Sequence, residues 1–185
     1  MKIALLAWGS LMWDPGNLAV ATDWEQDGPE LPLELSRVSE CRCNALTLVI
    51  DPKNGKENRT YFAVSPHRDL DDAIHTLRQR ECPTSECIGS VNCTTGKYCS
   101  RIPHRADTIY SWAEKNDCDA AIWTDLSSHF RQKTTMEFTV DTAWRYLHGL
   151  ETAGTAKARE YIEKAPARIE TPLLGFAHGW NTKLE

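Results

Sequence analysis

No apolar run in this chain approaches the roughly 20 residues that a membrane-crossing helix requires. The run nearest the N-terminus, Ile3-Ala4-Leu5-Leu6-Ala7 after Lys2, fits a buried strand better than an export signal. A basic excess is also missing. Lys and Arg number 21 against 26 Asp and Glu, a formal net charge of -5, so the electrostatic footprint of a nucleic-acid binder is absent. Internal repeats and low-complexity segments are absent too. Together these absences lead us to expect a cytoplasmic protein that works on neither nucleic acid nor membrane.

Paired Cys-x2-Cys knuckles are another absence. The chain has seven cysteines, an odd number that argues against a disulfide framework in a protein without an export signal. Cys82, Cys87, Cys93 and Cys99 crowd one stretch, but their spacings do not match those that fix a tetrahedral zinc site, and Cys41-x-Cys43 fits no better. Free thiols are expected. A redox- or metal-responsive role for the Cys82 to Cys99 cluster stays open as an alternative. With 185 residues, of which 41% are hydrophobic and 25% charged, the chain is long and balanced enough for a single domain with its own core. Leu184-Glu185 read as a tag remnant and are set aside.

The first apolar run is bounded by Trp8-Gly9-Ser10-Leu11, and then by Met12-Trp13-Asp14-Pro15-Gly16. A short, wholly apolar run with such borders reads as a strand buried on both faces. The Gly-Ser turn at its exit releases backbone N–H groups from the ladder, and these must find other partners. Two readings follow: an ordinary strand-to-loop turn, or a cradle for a carbonyl or anionic oxygen.

Further along, residues 17–32 read as a polar loop, and Leu33 to Val38 alternate as a half-exposed strand should. Ala45 to Ile50 is a second buried strand. After the Asp51-Pro52-Lys53-Asn54-Gly55 turn, Thr60 to Val64 returns as its hairpin partner. Ser65-Pro66 opens a helix with Asp69, Asp71 and Asp72 near its positive end. Residues 82–103 are irregular, a surface loop or a lid. His104 to Asn116 is helical, Ala120 to Trp123 a buried strand, and 141–150 and 156–164 two helices separated by Gly154. Trp144 and Leu147 belong to the core.

In the first of these helices Leu70, Ile74 and Leu77 form one buried stripe. At about 100° per residue, Glu81 falls roughly 20° from the direction of Leu70, on the face aimed at the core. A carboxylate is out of place there and also at the negative end of a helix. Two local rules broken at one residue mark a candidate functional group. Buried, Glu81 suits proton transfer near neutral pH. If the helix frays before it, close to Pro83, the side chain sits in solvent.

Three stretches together resemble the gamma-glutamylcyclotransferase family, which includes the ChaC-type enzymes acting on glutathione. Ala7-Trp8-Gly9-Ser10-Leu11-Met12-Trp13 resembles the Tyr-Gly-Ser-Leu signature loop, and Met12-Trp13 is closest to the ChaC-type version. Leu77-Arg78-Gln79-Arg80-Glu81 is similar to the segment carrying the family's catalytic glutamate. The tail from Phe138 through Tyr146 and Gly149 to Glu160-Tyr161-Ile162 has the helix–Gly–helix spacing with which such chains commonly end. The resemblance implies an α+β fold, a mixed β barrel flanked by helices. It implies cleavage of a small γ-glutamyl amine or peptide by its own α-amine, releasing 5-oxoproline, with no metal or cofactor, in a monomer or homodimer. Glu81 would be the base, and Trp8, Gly9, Ser10, Leu11 and Trp123 would bind substrate. Trp8 and Trp123 stand where relatives carry tyrosines. The Arg-Gly-rich segment of ChaC-type enzymes is not apparent, and Arg37 or Arg42 would supply its charge. The competing class is a non-catalytic γ-glutamyl-binding or regulatory module on the same fold. A Glu81 held in a salt bridge by Arg78 or Arg80 would favour that module.

Overall fold

A computed structural model describes residues 1–81 and 88–177. Its strands are β1 (Ile3–Ala7), β2 (Glu30–Ser39), β3 (Ala45–Ile50), β4 (Lys56–Arg59), β5 (Tyr61–Val64), β6 (Ile88–Asn92), β7 (Lys97–Cys99) and β8 (Ala120–Thr124). Its α-helices are α1 (Leu70–Glu81), α2 (Pro103–Lys115), α3 (Phe130–Thr134), α4 (Val140–His148), α5 (Thr152–Lys164) and α6 (Pro172–Ala177). The fold is mixed α and β. Among the described residues no helix is long and apolar enough to cross a membrane.

The chain gathers into two compact units. Met1–Leu31 and Arg59–Leu126 form the first; Pro32–Asn58 and the chain from Ser127 on form the second. The first is built on a five-stranded sheet in the order β5-β1-β8-β6-β7, the second on a three-stranded sheet, β3-β2-β4. Both sheets have free ends in this order, so no closed barrel is found among the described residues.

In the first unit, β1 is buried throughout, as a strand flanked on both edges and covered on both faces must be. It runs parallel to β8, with Leu5 beside Ile122, and antiparallel to β5, with Leu6 beside Phe62. Ile3, Leu5, Ala7, Ala120 and Ile122 point to one face, where Ala73 and Leu77 of α1 and Leu11 complete a core cluster. The opposite face carries Leu6 and Phe62, and Trp112 of α2 packs its ring edge-on to Phe62 with centroids 5.1 Å apart. Helices therefore cover the sheet on both sides.

The strand pairing corrects one expectation. β3 pairs with β2 rather than with β5, and β5 joins β1 in the other sheet. Thr60 makes the break. Its N–H and its hydroxyl both bond the carbonyl of Pro29, at 3.2 and 2.7 Å, so the chain leaves one ladder there and enters another. The unexpected β4 fills the interval. A second correction concerns the irregular segment, whose described part holds β6 and β7 as a hairpin. Helix α1 begins at Leu70 rather than after Ser65-Pro66, because Asp69 Oδ1 accepts the N–H groups of Asp71 and Asp72 at 2.9 and 3.2 Å and so caps it there.

Within the second unit, Gly154 does not separate two helices. It lies inside α5, where a Cβ would meet the carbonyl oxygen of Cys43 at 2.6 Å, so the glycine permits close approach of the two backbones. The alternation of β2 also misleads. Glu34 and Ser36 are buried rather than solvated, because the segment that carries α6 brings Thr171 and Leu173 against Glu34. The residues set aside as a tag remnant, like Cys82 and Cys87, lie outside the described residues.

Candidate functional site

β1 and β8 are parallel neighbours, so both deliver their C-terminal ends to one edge of the five-stranded sheet. In open sheets that edge is where loops gather ligands. β1 runs out through Trp8 and Gly9 into a single-turn 3-10 helix, Ser10–Met12. The turn is closed by Met12 N–H to the Gly9 carbonyl at 3.0 Å and by Asp14 N–H to the Ser10 carbonyl at 2.8 Å. The amides of Ser10 and Leu11 precede the first bond of that turn, so no acceptor within it can reach them. Leu11 is buried in the cluster with Leu77, which fixes the loop to the α1 face of the sheet. Trp8 is buried as well, and Ser10 is half-buried.

Helix α1 continues to Glu81, so the fraying alternative does not hold. The Glu81 side chain is 12% exposed, and its Oε1 accepts a hydrogen bond from Arg80 Nη1 at 2.9 Å. Arg80 is itself only 13% exposed, unusual for an arginine. Its other terminal nitrogen, Nη2, donates to the carbonyl of Asp14 at 2.6 Å and reaches Ser10 Oγ at 3.4 Å. One guanidinium thus gathers the carboxylate of Glu81, the hydroxyl of Ser10 and the end of the loop. Neighbouring residues on a helix project about 100° apart and do not normally meet. Here the arginine turns back across the last turn of the helix because the loop offers it two further acceptors.

Trp123 lies elsewhere. It alternates with Ile122, so its indole points to the face opposite α1, where it is fully buried with its Nε1 unpartnered. It packs over Gly89 of β6, its antiparallel partner, where a Cβ would meet Trp123 Cε2 at 2.1 Å. The structure brings Ser10 and Glu81 together and does not bring the Trp123 indole to them. Asp125, just past β8, is also buried. Its Oδ2 accepts from Ser100 Oγ at 3.1 Å and from the Arg101 amide at 2.6 Å, tying down the approach to α2.

The arginines suggested as stand-ins for the missing positive segment belong to the second unit. Arg37 donates to the Ser127 carbonyl at 2.9 Å, and the Arg42 guanidinium sits 5.6 Å from the centre of the Tyr161 ring. Among the described residues, Arg80 is a cation bonded to the Ser10–Asp14 loop. Its signal in the sequence is its place three residues after Leu77, on the flank of the buried stripe. Of the cysteines in question, Cys93 and Cys99 are free thiols. Burial, aided by Glu114, pushes the Cys93 thiol up, away from the thiolate form that reacts or binds metal.

Comparison with known proteins finds no match for this chain among family models, curated proteins or solved structures.

Proposed function

We propose that the chain is a gamma-glutamylcyclotransferase-like enzyme that cleaves a small γ-glutamyl amine or peptide. The substrate's α-amine attacks its own γ-carbonyl, a C–N bond closes the five-membered ring, and the original amide C–N bond breaks. 5-Oxoproline and the free amine leave. Nucleophile and electrophile belong to one molecule, so holding the reactive rotamer supplies much of the rate through effective molarity. Glu81 takes the proton from the α-ammonium and returns it to the departing amine. The amides around Gly9, Ser10 and Leu11 hold the oxygens of the glutamyl group.

One observation carries this reading: Arg80, 70 positions from Ser10 in the chain, joins that loop to the mostly buried carboxylate of Glu81. The cytoplasmic setting, the monomer or homodimer and the closed barrel of the family belong to the same proposal. The same cluster also favours a second reading. A carboxylate engaged by Arg80 suits a non-catalytic module that binds γ-glutamyl-like ligands.

A panel of γ-glutamyl compounds separates the two. The parent protein is expected to release 5-oxoproline from at least one compound, and Glu81→Gln to lose about two orders of magnitude or more, the scale of a general-base contribution. Saturable binding without 5-oxoproline would select the module. Equal rates in parent and variant would remove Glu81 from the chemistry.

A further inference from the structure

The second unit holds a carboxyl group that the candidate site does not use. Glu34, in the middle of β2, is fully buried. Its Oε1 accepts the N–H of Leu35 at 2.7 Å. From β3 it faces Val49, which offers nothing polar. From the segment leading into α6 the Thr171 hydroxyl and the Leu173 amide turn to it, and with the Leu35 amide they favour its ionised form, against the larger effect of burial. Among the described residues the charge of Asp51, beyond β3, bears on it and opposes its ionisation. Asp51 is buried and already accepts from the Lys53 and Asn54 amides at 3.1 Å each and from Asn54 Nδ2 at 3.0 Å.

The covering segment is docked by its backbone. Asn58 of β4 donates through Nδ2 to the Glu170 carbonyl at 2.9 Å and accepts the Glu170 N–H on Oδ1 at 2.7 Å, so its amide pairs as a strand would. Lys56 adds an ion pair to the Glu170 carboxylate. Thr171 Oγ1 accepts the Leu174 N–H at 3.1 Å, and Leu173, Leu174 and Ala177 are buried. Phe176 of the same segment packs edge-on to Trp144 of α4, with ring centroids 5.4 Å apart.

We propose that Glu34 is a proton-operated latch for the segment Glu170–Ala177: the protonated carboxyl lets that segment seat on the three-stranded sheet, and loss of the proton to solvent loosens it. An ionised carboxylate under the seated segment would be stripped of water and would stand against the charge of Asp51, costs that the donors of Leu35, Thr171 and Leu173 only partly offset. Burial is the largest of these effects and pushes Glu34 from 4.5 up to about 7. Between those values the seated state keeps a proton that the opened state has released. Raising the pH therefore favours opening, by up to about tenfold per pH unit, and the effect levels off above the upper value.

Amide hydrogen exchange on the intact chain between pH 5 and 8, corrected for intrinsic rates, tests this. Protection at Leu173 and Leu174 is expected to fall by about two orders of magnitude over that range. Amides of β8 are expected to hold steady, and Glu34→Gln to remove the dependence. A carboxyl NMR titration of Glu34 in the unaltered chain provides a check that needs no variant, with a midpoint near the upper value. Flat protection in the parent, the same slope in parent and variant, or a Glu34 midpoint in the ordinary carboxyl range would each overturn the latch.

Discussion

Arg80 Nη2 donates to the carbonyl oxygen of Asp14 at 2.6 Å, joining the last turn of α1 to a loop 66 positions earlier. A cation at the C-terminal end of a helix is favoured by the dipole, and the planar guanidinium can serve several acceptors at fixed angles. Arg80→Met removes the donor shared by Glu81, Ser10 and Asp14. The expected loss is about 2–4 kcal/mol, the scale for removing one member of a mostly buried charged network. Arg80→Lys should recover only part of it, because an ammonium cannot reproduce the fork. Urea denaturation of the three proteins reads this directly. Midpoints that coincide would mean that the arginine merely lies along the loop without holding it.

Gly89 and Trp123 make a second pair with a sharp consequence. A Cβ on residue 89 would lie 2.1 Å from Trp123 Cε2 and 2.4 Å from both Cζ2 and Nε1. The indole is fully buried and rigid, so it cannot swing aside as a surface chain would. Gly89→Ala is expected to cost about 3 kcal/mol, the upper range for overpacking a core. Combining it with Trp123→Leu should cost less than the sum of the two single changes, since the smaller side chain accommodates the methyl. Thermal or chemical denaturation of the four proteins gives the coupling. Strict additivity would mean that β6 shifts to relieve the clash instead.

The same pair shows where the sequence is readable and where it is not. β1, β8 and the stripe of α1 can be read because each is buried in a pattern its own residues repeat, all five positions in β1 and every third or fourth in α1. β6 cannot. Its Ile-Gly-Ser-Val-Asn has a glycine where a strand wants bulk, and only the indole from β8 explains it. Strand partners are likewise set by long-range contacts. The break at Thr60 depends on Pro29, which no local pattern announces. Glu34 reads as a solvated residue of an alternating strand until the distant segment at Thr171 covers it. At the candidate site, the stripe puts Glu81 on the inner face and leaves Arg78 and Arg80 as its possible ion-pair partners, of which the structure takes Arg80. Its partnership with the loop arises only when helix and turn meet in space.

His129 offers a test of the second unit through its charge. It precedes α3, and its Nδ1 is buried without a partner. Burial, helped by the positive charges of Arg37 and Lys133, holds it below the usual histidine value of 6.5, while Glu40 pulls the other way. The folded protein therefore disfavours the imidazolium that the unfolded chain accepts. Its contribution to stability is complete above 6.5 and is lost as the pH falls through the lower folded value. That trend is opposite in sign to the one assigned to Glu34, so a stability curve alone would blend the two. NMR titration of the imidazole isolates the first. The midpoint should lie below 6.5 in the parent and move lower still in Glu40→Gln, which removes a negative charge favouring protonation. A midpoint at or above 6.5, or an upward move in the variant, would show that Arg37 and Lys133 do not govern this ring.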